Sequence, residues 1–300
     1  MVRPATFRSN EETAVNNYYQ KSGGNEEGLL QNAQTEFDGF VEKLRNKGVN
    51  VIVVEGIAAE DTPDAHFPNN WISFHADGTV ALYPMFAKNR RRERREDILD
   101  LLEEKGFHIE NMVDYSSAES DGLFLEGTGS ILIDRINKKA YCAISPRADE
   151  ELFIEFCEDF EYTPVIFTAY QTVNGDRLPI YHTNVMMALG EQFAVICLDT
   201  IDDKKERKNV IAHLKEDGKE IITITEKQVT HFAGNMLQVI GADEKRFMVM
   251  STDAYQSLQT SQIGAIEKYC EIIHSNIQLI ETCGGGSARC MMAEVFLPNR

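Results

Sequence analysis

Gly284-Gly285-Gly286-Ser287-Ala288-Arg289-Cys290-Met291, close to the carboxyl end, is the stretch from which the rest of the chain can be read. Three consecutive glycines tolerate positive φ and leave amide N–H groups bare beside Cys290, the arrangement that cradles a developing oxyanion. The residues that follow, Met291-Met292-Ala293-Glu294-Val295-Phe296-Leu297, read as a short apolar strand, which sets the thiol at a loop-to-strand junction. A glycine turn beside a buried cysteine is also an ordinary structural feature, so the loop alone does not decide its role.

Spacing does. Asn70 precedes Trp71-Ile72-Ser73-Phe74, Glu126 precedes Gly-Thr-Gly-Ser-Ile-Leu-Ile, His182 precedes Thr-Asn-Val-Met-Met, and Asn235 precedes Met-Leu-Gln-Val-Ile. Each place has a polar residue in a turn context, an apolar strand, a Gly or Asp turn and a second apolar strand. With Cys290 the five positions follow one another at intervals of 56, 56, 53 and 55 residues, which is an internal repeat.

The pattern between these positions supports the repeat. Residues 2–7 read as a strand, and Asn10 to Gln20 as a short helix or a lid. Gly23-Gly24-Asn25 is a break, and Glu26 to Lys47 is a helix on the spacing of Leu29, Leu30, Ala33, Phe37, Phe40, Val41 and Leu44. A strand over 51–54 and a hairpin over 72–83, turning at Asp77-Gly78, complete one unit. The order then returns as helix, strand and hairpin at 95–105, 108–113 and 130–145; at 149–160, 164–167 and 185–198; and at 203–217, 220–224 and 236–251. The last unit has a helix over 260–275, a strand over 277–280 and a single strand over 291–297, which needs the amino-terminal strand as its partner. Half-units at both ends allow five modules to close into a ring without exposed sheet edges. Closure would gather Asn70, Glu126, His182, Asn235 and Cys290 around one cavity.

Bulk properties bound the function. The chain has 300 residues, 43% of them hydrophobic, and reads as a single domain over 1–300. A formal charge of −18 argues against nucleic acid or an anionic membrane as partner. The basic run Arg90 to Arg95, broken by Glu93, reads as a solvated helix face. Six cysteines without a CxxC pair support neither a zinc site nor a thioredoxin motif, so no metal and no cofactor is expected. The amino terminus lacks the apolar core of a signal peptide and no window reaches a membrane-spanning length, which fits a reducing cytoplasm and a free Cys290 thiol.

The five-module period, Leu125-Glu126-Gly127 before a strand, Tyr181-His182-Thr183-Asn184 and Gly-Gly-Gly-Ser-Ala-Arg-Cys-Met together resemble the guanidino-group modifying superfamily. This is the pentein α/β propeller of five ββαβ-type modules shared by arginine deiminase, dimethylarginine dimethylaminohydrolase and the amidinotransferases. Met1-Val-Arg-Pro-Ala-Thr-Phe with Glu-Thr-Ala-Val-Asn-Asn most resembles its amidinotransferase-like citrulline ureidases. The resemblance implies a hydrolase of C–N bonds other than peptide bonds, acting on a small amino acid of arginine metabolism; a homodimer is compatible with it.

A resonance-stabilised guanidinium or ureido carbon demands a strong nucleophile, a role for the Cys290 thiolate. The leaving amine must gain a proton and a later water must lose one, a role for the imidazole of His182. Glu126 matches the acid of the family. Arg147, in Ile-Ser-Pro-Arg-Ala-Asp, resembles the arginine that grips the substrate α-carboxylate. Asn235 offers no acid, base or nucleophile and is expected to be structural, while Arg289 is expected to point away from the cavity.

Two departures bear on the substrate. Arginine deiminases carry carboxylates where Asn70 and Asn184 stand, and a guanidinium, which has only donors, suits carboxylates. A ureido group presents a carbonyl acceptor as well as N–H donors, which an amide can answer. Both changes favour citrulline, Asn70 more than Asn184, because the dimethylarginine hydrolases also lack the second carboxylate. The alternatives are a guanidino substrate, handled by hydrolysis or amidino transfer, and a binding protein on the same fold, as in the ribosome anti-association factor.

Overall fold

The computed structural model describes residues 1–21 and 28–300, so the break expected at Gly23-Gly24-Asn25 and the first residues of the helix expected from Glu26 lie outside the described residues. At the amino end, β1 (Val2–Arg3) runs parallel to β2 (Val54–Glu55). The helix Leu29–Asn46 joins them, with Leu29, Ala33, Phe37, Phe40, Val41 and Leu44 buried along one stripe. Its last turn carries Lys43 and Arg45, where the helix dipole favours positive charge.

Four further sheets repeat one plan: an antiparallel hairpin, a crossing helix, and a third strand parallel to the second. The first has β3 (Ile72–Phe74), β4 (Thr79–Leu82) and β5 (Asn111–Asp114), with the helix Glu96–Glu104 between β4 and β5. The second has β6 (Ile131–Asp134), β7 (Lys139–Ile144) and β8 (Thr163–Thr168), crossed by Glu150–Asp159, which Asp149 caps with bonds from the Glu151 and Leu152 amides. An inserted hairpin of β9 (Tyr170–Val173) and β10 (Asp176–Pro179) follows, which the sequence reading passed over. The third has β11 (Met187–Leu189), β12 (Phe193–Ile196) and β13 (Glu220–Thr223), crossed by Lys204–Glu216. The fourth has β14 (Leu237–Ile240), β15 (Arg246–Ser251) and β16 (Glu271–Ser275). The largest continuous core runs from Leu132 and Phe167 through Val195 and Met248 to Ile266, tying these last three sheets together.

Three expectations fail near the carboxyl end. The helix expected over 260–275 stops at Glu267, because the β-branched Ile272 and Ile273 join a parallel ladder against Phe247–Ser251, and the paired partner outweighs helical periodicity. The strand expected over 277–280 belongs to the helix Gln278–Gly284, whose first amides, on Leu279 and Ile280, donate to the Glu36 carboxylate at 3.0 Å. Residues 291–297 form no strand, so β1 takes β2 rather than the carboxyl end as partner.

The ring closes by other means. Val2, Trp71, Ile72 and Leu297 share one buried cluster, Asn299 bridges Phe107, and the His108 amide donates to the Pro298 carbonyl at 2.8 Å. A cavity of about 380 Å³ remains at this seam, lined mainly by apolar side chains such as Val2, Ile52, Trp71, Phe74 and Val295. The result is an α/β fold of four ββαβ modules and a reduced fifth, in which the helix and the parallel pair β1–β2 of the amino end pack with the carboxyl-terminal residues.

Candidate active site

Asn70, Glu126, His182 and Asn235 each sit in the turn that enters the first strand of a module, and Cys290 sits in a turn with no strand after it. Asn70 ends the helical turn Pro68–Asn70, Glu126 precedes the turn Gly127–Ser130, and His182 precedes the turn Thr183–Val185. The middle turn packs against the other two. Thr183 Oγ1 donates to the Ser130 carbonyl at 2.5 Å and accepts the Ala143 amide at 2.8 Å, which fixes the His182 turn on the Glu126 turn. Gly129 is the point of closest approach: a Cβ there would lie 2.3 Å from Asn70 Nδ2 and 2.9 Å from His182 Nδ1.

The imidazole and carboxylate make a defined pair. His182 Nε2 lies 2.7 Å from Glu126 Oε2, and Glu126 Oε1 accepts the Phe86 amide at 3.0 Å. Burial opposes charge on Glu126, but Arg147, His182 and Arg90 together hold its carboxyl well below the usual range. Burial pushes His182 down to about 4, outweighing the pull of Glu126. At neutral pH the pair is therefore a carboxylate and a neutral imidazole. Because a carboxylate only accepts, the imidazole proton sits on Nε2 and the lone pair on Nδ1, facing Gly129 and Asn70.

Asn70 is held in one orientation. Arg90 Nη1 donates to its Oδ1 at 2.8 Å, so its Nδ2 is the end turned toward Gly129, and that buried Nδ2 has no partner. Arg90 is itself buried, bonded to both oxygens of Glu93 at 2.9 and 2.8 Å and to the Phe67 carbonyl at 3.1 Å. The reading of Arg90–Arg95 as a solvated face is thus corrected: Arg90 braces the site, and Arg91 and Arg94 pair with Glu119.

Cys290 lies in a turn, 4% exposed, with Asn184 Nδ2 at 3.5 Å and Asn235 Nδ2 at 3.3 Å from Sγ. Asn235, expected to be structural, bonds the Asn184 carbonyl and the Arg289 amide across modules, and it also reaches the sulfur. The glycine loop also works differently from the expectation. The amides flanking the sulfur are engaged, Arg289 with Asn235 Oδ1 and Cys290 with the Ser287 carbonyl, both at 3.0 Å. A Cβ on Gly284 or Gly286 would lie 2.8 Å from the Phe67 ring, and Gly285 caps the helix at φ 67°, so the glycines provide close packing and a helix stop. Ser287 donates to the buried Glu281 at 2.6 Å, holding the loop. Arg289 turns away, as expected, toward the Met292 carbonyl and Glu294.

Arg147 is buried beneath the Tyr181 ring, 4.7 Å from its centroid. Its fork bonds Asn16 Oδ1 and, at 2.9 Å, the Thr13 carbonyl, with Glu126 at 3.5 Å. The segment expected to be a helix or lid contains the short helix Glu11–Ala14 and straps the site. Asn10 donates to Asp64 at 2.7 Å, Asn17 to the Gly285 carbonyl at 3.1 Å, and the Lys21 amide to the Thr282 carbonyl at 2.7 Å. Asp64 was missed in the sequence. Burial raises its pKa against the pull of Arg90, and its Oδ1 has no partner. Among the described residues, most buried side-chain polar atoms without a partner lie on Asp64, His66, Asn69, Asn70 and Asn184, a concentration that marks a polar ligand site.

Within this geometry the comparisons have a clear meaning. Residues 3–297 match the family model of eukaryotic N,N dimethylarginine dimethylhydrolase. The fold is similar to that of ArgZ, an arginine dihydrolase from the ornithine-ammonia cycle in cyanobacteria, with a TM-score of 0.74 and 16% identity over 100% of this chain; the chain spans only 40% of that protein. The separate N-terminal domain of ArgZ, bound to substrate, gives 0.70 at 16% identity, covering 99% of this chain and 98% of that one. A dimethylarginine dimethylaminohydrolase gives 0.62 at 12% identity, covering 97% and 96%. No curated protein matches the chain by sequence. The chain belongs to the eukaryotic-type N,N dimethylarginine dimethylhydrolase family, within the guanidino-modifying pentein superfamily.

Proposed function

We propose that this protein hydrolyses a neutral ureido amino acid, citrulline, to ornithine, ammonia and carbon dioxide. The observation that carries the reading is the donor and acceptor pattern of two asparagines. Arg90 fixes Asn70 so that an unpartnered N–H2 group faces the site, and Asn184 brings a buried, unpartnered Oδ1 beside Cys290. A ureido carbonyl accepts from the first and a ureido N–H donates to the second. A guanidinium would oppose its own donors to Asn70 Nδ2.

The other end of the substrate fits an amino acid. Asp64 Oδ1 suits an α-ammonium, and the Arg147 fork suits an α-carboxylate once it exchanges Asn16 and Thr13 for that partner.

In the reaction, Cys290 Sγ bonds to the ureido carbon and its proton passes to His182. Glu126 steadies the imidazolium that forms, and Asn70 Nδ2 donates to the carbonyl oxygen as it gains charge. A C–N bond breaks and the departing amine takes the proton from His182. Water then attacks the thioester-like intermediate, returning a proton through His182 and freeing the thiol. The carbamate released in this sequence decomposes, so one citrulline and one water give ornithine, ammonia and carbon dioxide.

Asn70→Asp tests the reading. It keeps the acceptor for Arg90 and replaces the donor by a carboxylate oxygen, a mismatch of ~1 to 3 kcal/mol, or about one to two decades in rate. Citrulline turnover is expected to fall by at least that much; unchanged turnover would remove Asn70 as the selector. A second reading, hydrolysis of a guanidino substrate, is favoured by the dimethylarginine family match and by the arginine dihydrolase activity of ArgZ.

A further inference from the structure

We infer that Asn235 is a catalytic residue whose amide N–H, together with that of Asn184, stabilises the Cys290 thiolate. The inference rests on Cys290 being the nucleophile but not on which substrate it attacks.

The orientation of the Asn235 amide is not a free choice. Its Oδ1 accepts the Arg289 backbone N–H at 3.0 Å, and its Nδ2 donates to the Asn184 carbonyl at 3.0 Å. Reversing the amide would set donor against donor and acceptor against acceptor, so these two bonds fix which end is nitrogen. The second N–H of Nδ2 is left for Cys290 Sγ, 3.3 Å away, and Asn184 Nδ2 adds another at 3.5 Å. A thiol could use only one acceptor in return, Asn235 Oδ1, which stands at 3.7 Å and already holds the Arg289 amide. Two converging donors with one distant, shared acceptor stabilise the charge on the sulfur once its proton has passed to His182.

No charged group bonds the sulfur among the described residues. Arg289 turns its guanidinium to the Met292 carbonyl and Glu294, and His182, lowered to about 4, is neutral near pH 7. Burial pushes the Tyr181 hydroxyl well up, so it stays neutral, and it donates to the Gly285 carbonyl at 2.7 Å. The two amides then supply what a cation provides beside other reactive cysteines. Asn235 also ties the third module to the fifth, so the bond that bridges the modules also sets the state of the nucleophile.

The experiment is the pH dependence of iodoacetamide labelling at the Cys290 peptide, read by mass spectrometry, with Cys290→Ser as the blank. It needs no substrate, so its outcome is independent of the citrulline reading. Asn235→Ala should move the labelling midpoint upward by about one unit, lowering the rate near pH 7 about tenfold while leaving the high-pH limit unchanged. Asn235→Asp, which keeps the acceptor for Arg289 but adds charge, should move it further. In both variants turnover should recover as the pH is raised. A midpoint in Asn235→Ala equal to that of the parent, or a loss that high pH does not restore, overturns the inference. Should the alanine variant not fold, Asn235→Ser, also neutral and too short to reach the sulfur, gives the same readout with the same two outcomes.

Discussion

Gly129 lies between Asn70 Nδ2 and His182 Nδ1, so the proposed substrate reader and the proposed base share the space a methyl group would fill. Gly129→Ala must displace one of them from its bond to Arg90 or Glu126, at a cost of ~1 to 3 kcal/mol. The expected result is a fall in kcat/KM of about one to two decades with a modest loss of thermal stability; a variant with parental kcat/KM would show that the two side chains yield freely. Cys290, His182 and Glu126 were legible in the sequence as candidates, because their chemistry is rare and their spacing repeats. Asp64, Arg90 and Asn235 were not, because their roles come from burial and partners. Arg90 sits in a run that reads as surface, and its contacts with Glu93, Asn70 and the Phe67 carbonyl hold it out of solvent. Asn235 stood at a repeat position, but its residue type hid its contact with sulfur.

Among the elements, the strap over residues 10–21 has the clearest consequence. Cys290, His182, Glu126, Asn70 and Arg147 are all buried, and the strap bonds Asp64, Arg147 and the Gly285 carbonyl. With Arg147 in its proposed role, the substrate carboxylate must displace Asn16 and Thr13 from its fork. Citrulline added to the inactive Cys290→Ser protein should therefore alter amide hydrogen exchange within residues 10–21 more than elsewhere; unchanged exchange there would contradict this route. The strands with alternating apolar residues and the helices with acidic caps were readable from local pattern. The carboxyl end was not, because Ile272 and Ile273 satisfy either period until β15 offers a ladder.

For the molecule as a whole, buried titratable groups set the pH range of stability. Burial pushes His66 and His75 down to about 3 and His182 to about 4, against 6.5 in the unfolded chain. Their contribution is present above pH 6.5 and lost as pH falls toward those values. Glu93 and Glu281, raised by burial from 4.5 to about 7, act with the opposite sign: their contribution is complete below pH 4.5 and lost as pH rises through 7. The two sets partly cancel between 4.5 and 6.5, so stability against urea should change little there and fall steeply below pH 4.5. His66 rests on Phe67 at 4.0 Å with neither ring nitrogen bonded, so His66→Phe should flatten the acid limb by on the order of 3 kcal/mol at pH 4. An acid limb identical to the parent's would contradict that assignment.

Selection of a neutral ureido group by Asn70 and Asn184 is decided by initial rates of the unmodified protein on citrulline, arginine, agmatine and methylated arginines, with ornithine and ammonia both counted. Citrulline is expected to be preferred by about one to two decades in kcat/KM, with one ammonia released per ornithine. Preference for arginine or a methylarginine, or citrulline accumulating as product, would contradict it.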